Sequence, residues 1–193
     1  MVNGLDGKLR AGLAGGTGGH EVHALPGAQT AMTDVQIRLA QVNDAEPACA
    51  VLRRSIAGLC EADHGNDPKI LAAWLANKTP DNVAAWIVDP GNIVTVALID
   101  GRITGVAAMT QAGLITLNYV SPDARFSGVS KALLAALEQS AVDLELAQCR
   151  LQSTKTALRF YRAAGYREVE ADNSGGGVMM TKELIVPRRF TIR

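Results

Sequence analysis

A short turn, Arg125-Phe126-Ser127-Gly128-Val129-Ser130-Lys131, joins the extended apolar run "GLITLNYV" and its Ser121-Pro122-Asp123 bend to the amphipathic run "KALLAALE". The turn is small, cationic and free of carboxylates. A helix N-terminus has unpaired amide N–H groups and about half a positive charge. Small residues in front of it let an anion reach those amides without side-chain obstruction. Gly128 and Ser130 supply the small size, and Arg125 and Lys131 supply charge, so the turn suits a pyrophosphate. An ordinary strand-to-helix turn, with Ser127 as cap and Arg125 solvated, accounts for the same residues. The chain contains neither GxxxxGK[ST] nor a GxGxxG following a strand, so this is not a P-loop or a dinucleotide fingerprint.

A second stretch, "QSTKTALRFYRAAGYREV", puts Thr156, Phe160 and Tyr161 on one short helix. Phe160 falls one turn beyond Thr156, and the Tyr161 phenol can point toward the end of the preceding strand. A phenol of pKa near 10 can protonate a leaving thiolate and be restored from solvent. A core aromatic pair is the alternative, favoured for Phe160.

A third group, Glu61, Asp63, His64 and Asp67, lies in one loop. Carboxylates with an imidazole can bind a cationic amine, and His64 is the apt base because its ordinary pKa is near 6.5. A solvated loop, with Asp67 capping a helix that opens at Pro68, explains the same residues and is the preferred reading. Trp74 and Trp86 sit at helical spacing among apolar residues, as core positions do. Cys49, Cys60 and Cys149 are odd in number and form no CxxC pair. That argues against a disulfide framework and a metal site, and fits buried thiols in a reducing cytoplasm.

These groups need a scaffold, and the chain alternates in a way that provides one. "VQIRLA" alternates like a strand. "NDAEPACAVLRRSIAGLC" reads as a helix with Asn43 or Asp44 as N-cap. "DPKILAAWLAN" and "PDNVAAWIV" read as two more. "NIVTVALID" and "GRITGVAAMT" form a hairpin through Asp100-Gly101, and "GLITLNYV" is the next strand. The helix after the turn runs to about Leu146. "QCRLQST" is a strand, "KTALRFYRAAG" a helix stopped by Gly165, and "YREVEA" and "VMMTKEL", joined by "DNSGGG", close the sheet. The expected class is α/β, a mixed sheet with helices on both faces, and a right-handed parallel crossover from "GLITLNYV" to "CRLQS".

At 193 residues the chain suits one domain. Residues 1–31 are glycine-rich and aperiodic, and read as a disordered leader in which His20 and His23 have no role. Met32 looks like the start of the folded unit, 32–186, and 187–193 reads as a frayed basic tail. Nineteen Lys and Arg balance nineteen Asp and Glu, so no global field steers the chain to nucleic acid or an anionic membrane. No apolar run approaches the roughly 18 residues a membrane span needs.

Taken together, Arg125-x-x-Gly128-x-Ser130 after a strand, and Thr154, Ala157, Phe160, Tyr161, Gly165 and Tyr166 after the next, resemble the GNAT superfamily of acetyl-CoA-dependent N-acetyltransferases. The family pattern is Q/R-x-x-G-x-G/A, followed by a polar residue and A-x-x-F-Y-x-x-x-G-F/Y. The resemblance covers residues 35–184 and implies a mostly antiparallel sheet of six or seven strands, with the fourth and fifth splayed apart. It implies that backbone N–H groups from Phe126 through Ser127, Gly128, Val129 and Ser130 to Lys131, beside Arg125, hold the CoA pyrophosphate. Tyr119 and Val120 then pair with the pantetheine arm like an added strand, Thr154 and Thr156 flank it, and Tyr161 protonates the departing thiolate. Ser130 departs from the family's second Gly or Ala. No carboxylate on "GLITLNYV" replaces the Glu some members use as a base. The implied activity is acetyl transfer to a primary amine, on a small molecule or a protein, with no metal, and a homodimer is the default assembly. A catalytically silent acyl-CoA sensor is the alternative.

Overall fold

The structure is a computed structural model, and it describes residues 34–169 and 177–187. The expectations for the leader, for His20 and His23, for most of the "DNSGGG" turn and for residues 188–193 lie outside the described residues.

Seven strands form one sheet: β1 (Gln36–Leu39), β2 (Asn92–Ile99), β3 (Arg102–Thr110), β4 (Leu114–Val120), β5 (Gln148–Ser153), β6 (Arg167–Glu168) and β7 (Val178–Glu183). Their spatial order is β1-β2-β3-β4-β5-β7-β6, with β4 and β5 parallel and every other pair antiparallel. The helices are α1 (Ala45–Leu59), α2 (Glu61–His64), α3 (Pro68–Leu75), α4 (Pro80–Val88), α5 (Val129–Asp143) and α6 (Leu158–Ala163). Two buried clusters share the sheet. One joins Leu133, Leu137 and Tyr161 to Met109 and Leu151, and the other joins Leu52 and Val83 to Val96 and Val106. Helices therefore cover both faces, the arrangement expected of a mixed sheet.

Local chemistry sets most element ends. Asp67 accepts from the Lys69 and Ile70 amides with Pro68 at the first helical position, and Thr79 Oγ1 accepts from Asn82 before Pro80. Asp100 and Gly101 both take positive φ, at 51° and 73°, which a two-residue hairpin demands. The expected cap at Asp44 differs in detail. Its carboxylate accepts from Arg38 at 2.6 and 2.8 Å and from the Gln41 amide, so it ties β1 to the helix start instead of capping α1.

Two elements depart from expectation. A separate turn of helix, α2, follows Cys60 and ends at Gly65 in the left-handed region. The last helix begins at Leu158, not Lys155; residues 155–157 form a turn in which the amides of Lys155 and Thr156 are bound by the Asp63 carboxylate and that of Ala157 by Thr154 Oγ1. Thr156 thus lies in the turn before α6.

Close approach of α5 to the sheet depends on one residue. A Cβ built on Gly105 of β3 falls 2.5 Å from Val129 Cγ1 and 2.8 Å from Leu133 Cδ1. We expect Gly105→Ala to push the first turn of α5 off the sheet and to cost about 1 to 3 kcal/mol. Thermal unfolding should drop by roughly 2 to 10 °C; an unchanged midpoint would show that the contact yields freely.

Candidate active site

The central feature is an opening between β4 and β5. These parallel strands pair at Leu114 with Arg150 and Ile115 with Leu151, and then separate. The rest of β4, from Thr116 to Val120, has no β5 partner, and Leu117 to Val120 keep their β3 neighbours. Unpaired strand-edge N–H and C=O groups are a template for another extended chain.

A bulge prepares that edge. Ala108 of β3 pairs with Leu117 while Met109 pairs with Ile115, so Thr116 is the extra residue. Side-chain alternation therefore shifts phase. Ile115 packs with the α5 and α6 side, as does Val120, whereas Leu117 and Tyr119 pack with the α1 and α4 side. Asn118 faces α5 and donates from Nδ2 to the Ser130 carbonyl at 3.4 Å.

The groove continues into a cleft of about 470 Å³ walled by Asn118, Val120, Arg125, Gly128, Phe160 and Tyr161. At its floor the turn enters α5. Gly128 holds φ 85° with no protein atom within 4 Å of an added Cβ. The first α5 amide with a carbonyl partner is that of Ala132, bonded to Gly128. Among the described residues, the amides of Val129, Ser130 and Lys131 find no acceptor. Ser127 does not cap the helix; its hydroxyl donates to the Ala124 carbonyl. The anion-ready amides are thereby left open, which fits a pyrophosphate. Phe126 takes φ 65°, stands 91% exposed and stacks under the Arg125 guanidinium at 4.7 Å. Arg54 of α1 braces the preceding bend through Asp123 at 2.9 Å.

Tyr161 sits where the cleft meets the open strand edge. It is buried, packs edge-on against Phe160 and Tyr166, and has its phenol pushed up to about 12 by burial, with nearby Asn118 pulling the other way. Asn118 Oδ1 itself is buried without an aligned partner. Thr154 lines the groove and caps the turn before α6, and Thr156 and Ala157 line both groove and cleft. Tyr119, across β4, also has a phenol raised to about 12 by burial.

The carboxylate–imidazole cluster is dismantled by the fold. His64 is buried, with Nε2 against the Ile56 carbonyl at 3.1 Å and Nδ1 accepting from the Asn66 amide at 3.1 Å. Both ring nitrogens are spoken for, so His64 is a core residue and not a base facing the groove. Glu61 accepts from Asn66, Asp67 caps α3, and Asp63 clamps the loop before α6. This last contact links residues 92 positions apart and had no local signal. We expect His64→Gln to cost about 1 to 3 kcal/mol, from stranded buried partners, with kcat altered less than roughly threefold. A collapse of kcat in folded protein would return His64 to the chemistry.

All three cysteines are buried and free. Burial pushes Cys60 and Cys149 up to about 11 and raises Cys49 as well, so none is a thiolate near neutral pH. Both tryptophans are half-buried: Trp86 packs against the core cluster of Leu52 and Val83, as expected, and also walls a cleft, while Trp74 walls a second cleft. Among the described residues, no helix is long and apolar enough to cross a membrane.

No curated protein matches the chain in sequence. In fold it is similar to a PaiA N-acetyltransferase from Thermoplasma acidophilum solved with coenzyme A. The TM-score is 0.68 at 18% identity, over 78% of this chain and 99% of that one. A GCN5-related N-acetyltransferase from Rhodopseudomonas palustris gives 0.70 at 24% identity, over 81% and 100%. The ribosomal-protein-S18-alanine N-acetyltransferase of Escherichia coli gives 0.56 at 14% identity, over 83% and 100%. The model of the acetyltransferase (GNAT) domain matches residues 61–183, which include the open strand, the turn and Tyr161. With that match over more than half of the chain, the protein belongs to the GNAT acetyltransferase family.

Proposed function

We propose that the protein moves an acetyl group from acetyl-CoA to a primary amine by direct attack in a ternary complex. One observation carries this reading: the unpartnered β4 edge runs without a break into the open amides at the start of α5, with Tyr161 at the junction. An extended pantetheine pairs with the strand edge while its pyrophosphate meets the amides of Val129 to Lys131, with Arg125 alongside.

Backbone N–H groups of the bulged strand are the donors available to the thioester oxygen, and such preorganised donors stabilise charge that develops during attack. The high pKa values of the buried cysteines support direct transfer over an acyl-enzyme. Tyr161 suits the acid role by its place and its protonation: burial keeps the phenol protonated, and it lines both the groove and the cleft where a thiolate would depart. No carboxylate or imidazole lines the groove around Thr116 to Val120 among the described residues. The amine therefore arrives neutral or gives its proton to water.

The test is transfer of labelled acetyl from acetyl-CoA, by the full chain, to a panel of primary amines, with the product identified by mass. Acetylated amine, with CoA released in equal amount, is expected. Binding of acetyl-CoA with no transfer to any amine would favour a silent acyl-CoA sensor.

A further inference from the structure

On the α1 and α4 side of β4, the clefts beside Thr116, Leu117 and Tyr119 carry a cation and no carboxylate in their walls among the described residues. Two clefts, of about 300 and 410 Å³, meet at Asn77 and Lys78 and reach β4 at Thr116, Leu117 and Tyr119, which also wall the groove. Neither cleft nor the groove has an Asp or Glu in its wall among the described residues. Their one ionisable cation is Lys78, in the loop between α3 and α4.

Lys78 is held in place without a counter-charge. Its carbonyl accepts from Cys49 Sγ and from the Arg53 guanidinium, each at 3.1 Å, which anchors the loop to α1. Its ammonium donates to Asn77 Oδ1 and lies 5.6 Å from the centre of the Trp86 ring. No carboxylate of the described residues pairs with it. Half-buried and unpaired, it has its pKa lowered, first by burial. An ammonium in that setting gains most from an incoming anion, which restores the charge–charge partner that burial makes valuable.

Resting on the acetyl-transfer reading above, we propose that the acceptor is a small primary amine that also bears a carboxylate, the carboxylate seated on Lys78 and the amine directed at the Thr116 bulge. The indoles of Trp74 and Trp86 form apolar walls to either side, suited to the rest of an amino-acid-like molecule. Polycationic amines are disfavoured by the same ammonium. The carboxylates of Glu61, Asp63 and Asp67 accept from Asn66, Lys69 and Lys155 and wall neither of these clefts; Asp63 lies in a separate cleft that shares Trp74.

The experiment compares free amino acids with their carboxamides and their decarboxylated amines, using the full chain and saturating acetyl-CoA. Wild type should favour the carboxylate form by roughly 10- to 100-fold in kcat/KM, the range for losing one charge-assisted contact. Lys78→Met should bring that ratio near one through a raised KM, and Lys78→Arg should keep most of it. Equal or better use of decarboxylated amines by wild type would overturn the proposal while leaving acetyl transfer intact. So would a loss of kcat in Lys78→Met and Lys78→Arg alike on every amine, which marks a proton acceptor. Silence on the whole panel, in folded protein that acetyl-CoA stabilises, would overturn the transfer reading and this proposal with it.

Discussion

Gly128→Glu should weaken acetyl-CoA binding by at least roughly 100-fold and leave the protein folded. The turn loses several charge-assisted amide contacts to pyrophosphate at once, each a substantial part of the affinity. The new carboxylate lands among the amides of Val129, Ser130 and Lys131, occupying the anion site and repelling the ligand. The fold tolerates it for two reasons. An added Cβ meets no protein atom within 4 Å, and the left-handed φ of 85° costs an L-residue only about 1 to 2 kcal/mol. Part of that cost is offset because the carboxylate itself satisfies first-turn amides. Titration calorimetry reads the effect directly. A dissociation constant within a few-fold of wild type would remove the pyrophosphate from this turn, and with it the proposed path of the cofactor.

Tyr161→Phe should reduce kcat by roughly 100-fold or more, the lower range for losing a positioned proton donor. The KM for acetyl-CoA should hardly move, because the cleft keeps the ring packing of Phe160 and Tyr166. The pH profile separates this role from simple packing. With its phenol near 12, Tyr161 is protonated throughout the usual assay range. The rate of the wild type should therefore climb with pH as the acceptor amine loses its proton, and no alkaline decline from Tyr161 should appear below about pH 11. A decline centred near pH 8 would mean that the acid has a much lower pKa and is another group. Unchanged kcat in the Phe variant would do the same.

Much of the architecture could be read from the chain because its signals are local. Asp67-Pro68 and Thr79-Pro80 start helices, Asp100-Gly101 turns a hairpin, and Gly128 before α5 with Ser130 in its first turn keeps that helix start open. Each depends on dihedral preference or a cap within about three residues, which sequence states directly. The resemblance carried by Arg125, Gly128 and Tyr161 led to the right family for the same reason, since those residues lie in short contiguous patterns.

What a side chain does once placed was decided elsewhere. His64 looked like a base beside three carboxylates, but Ile56 and Asn66 claim its nitrogens, and a loop far along the chain claims Asp63. In an unbroken strand Ile115, Leu117 and Tyr119 would share one face. The bulge at Thr116 exchanges the faces halfway, so that Asn118 turns to the α5 side and Tyr119 to the α1 and α4 side. The parting of β4 and β5 after Ile115, and the setting of Lys78 against Trp86, likewise arise between distant segments. Propensity and capping act over one turn of chain and made the elements; partner, burial and facing direction follow from packing across the sheet, and those made the site.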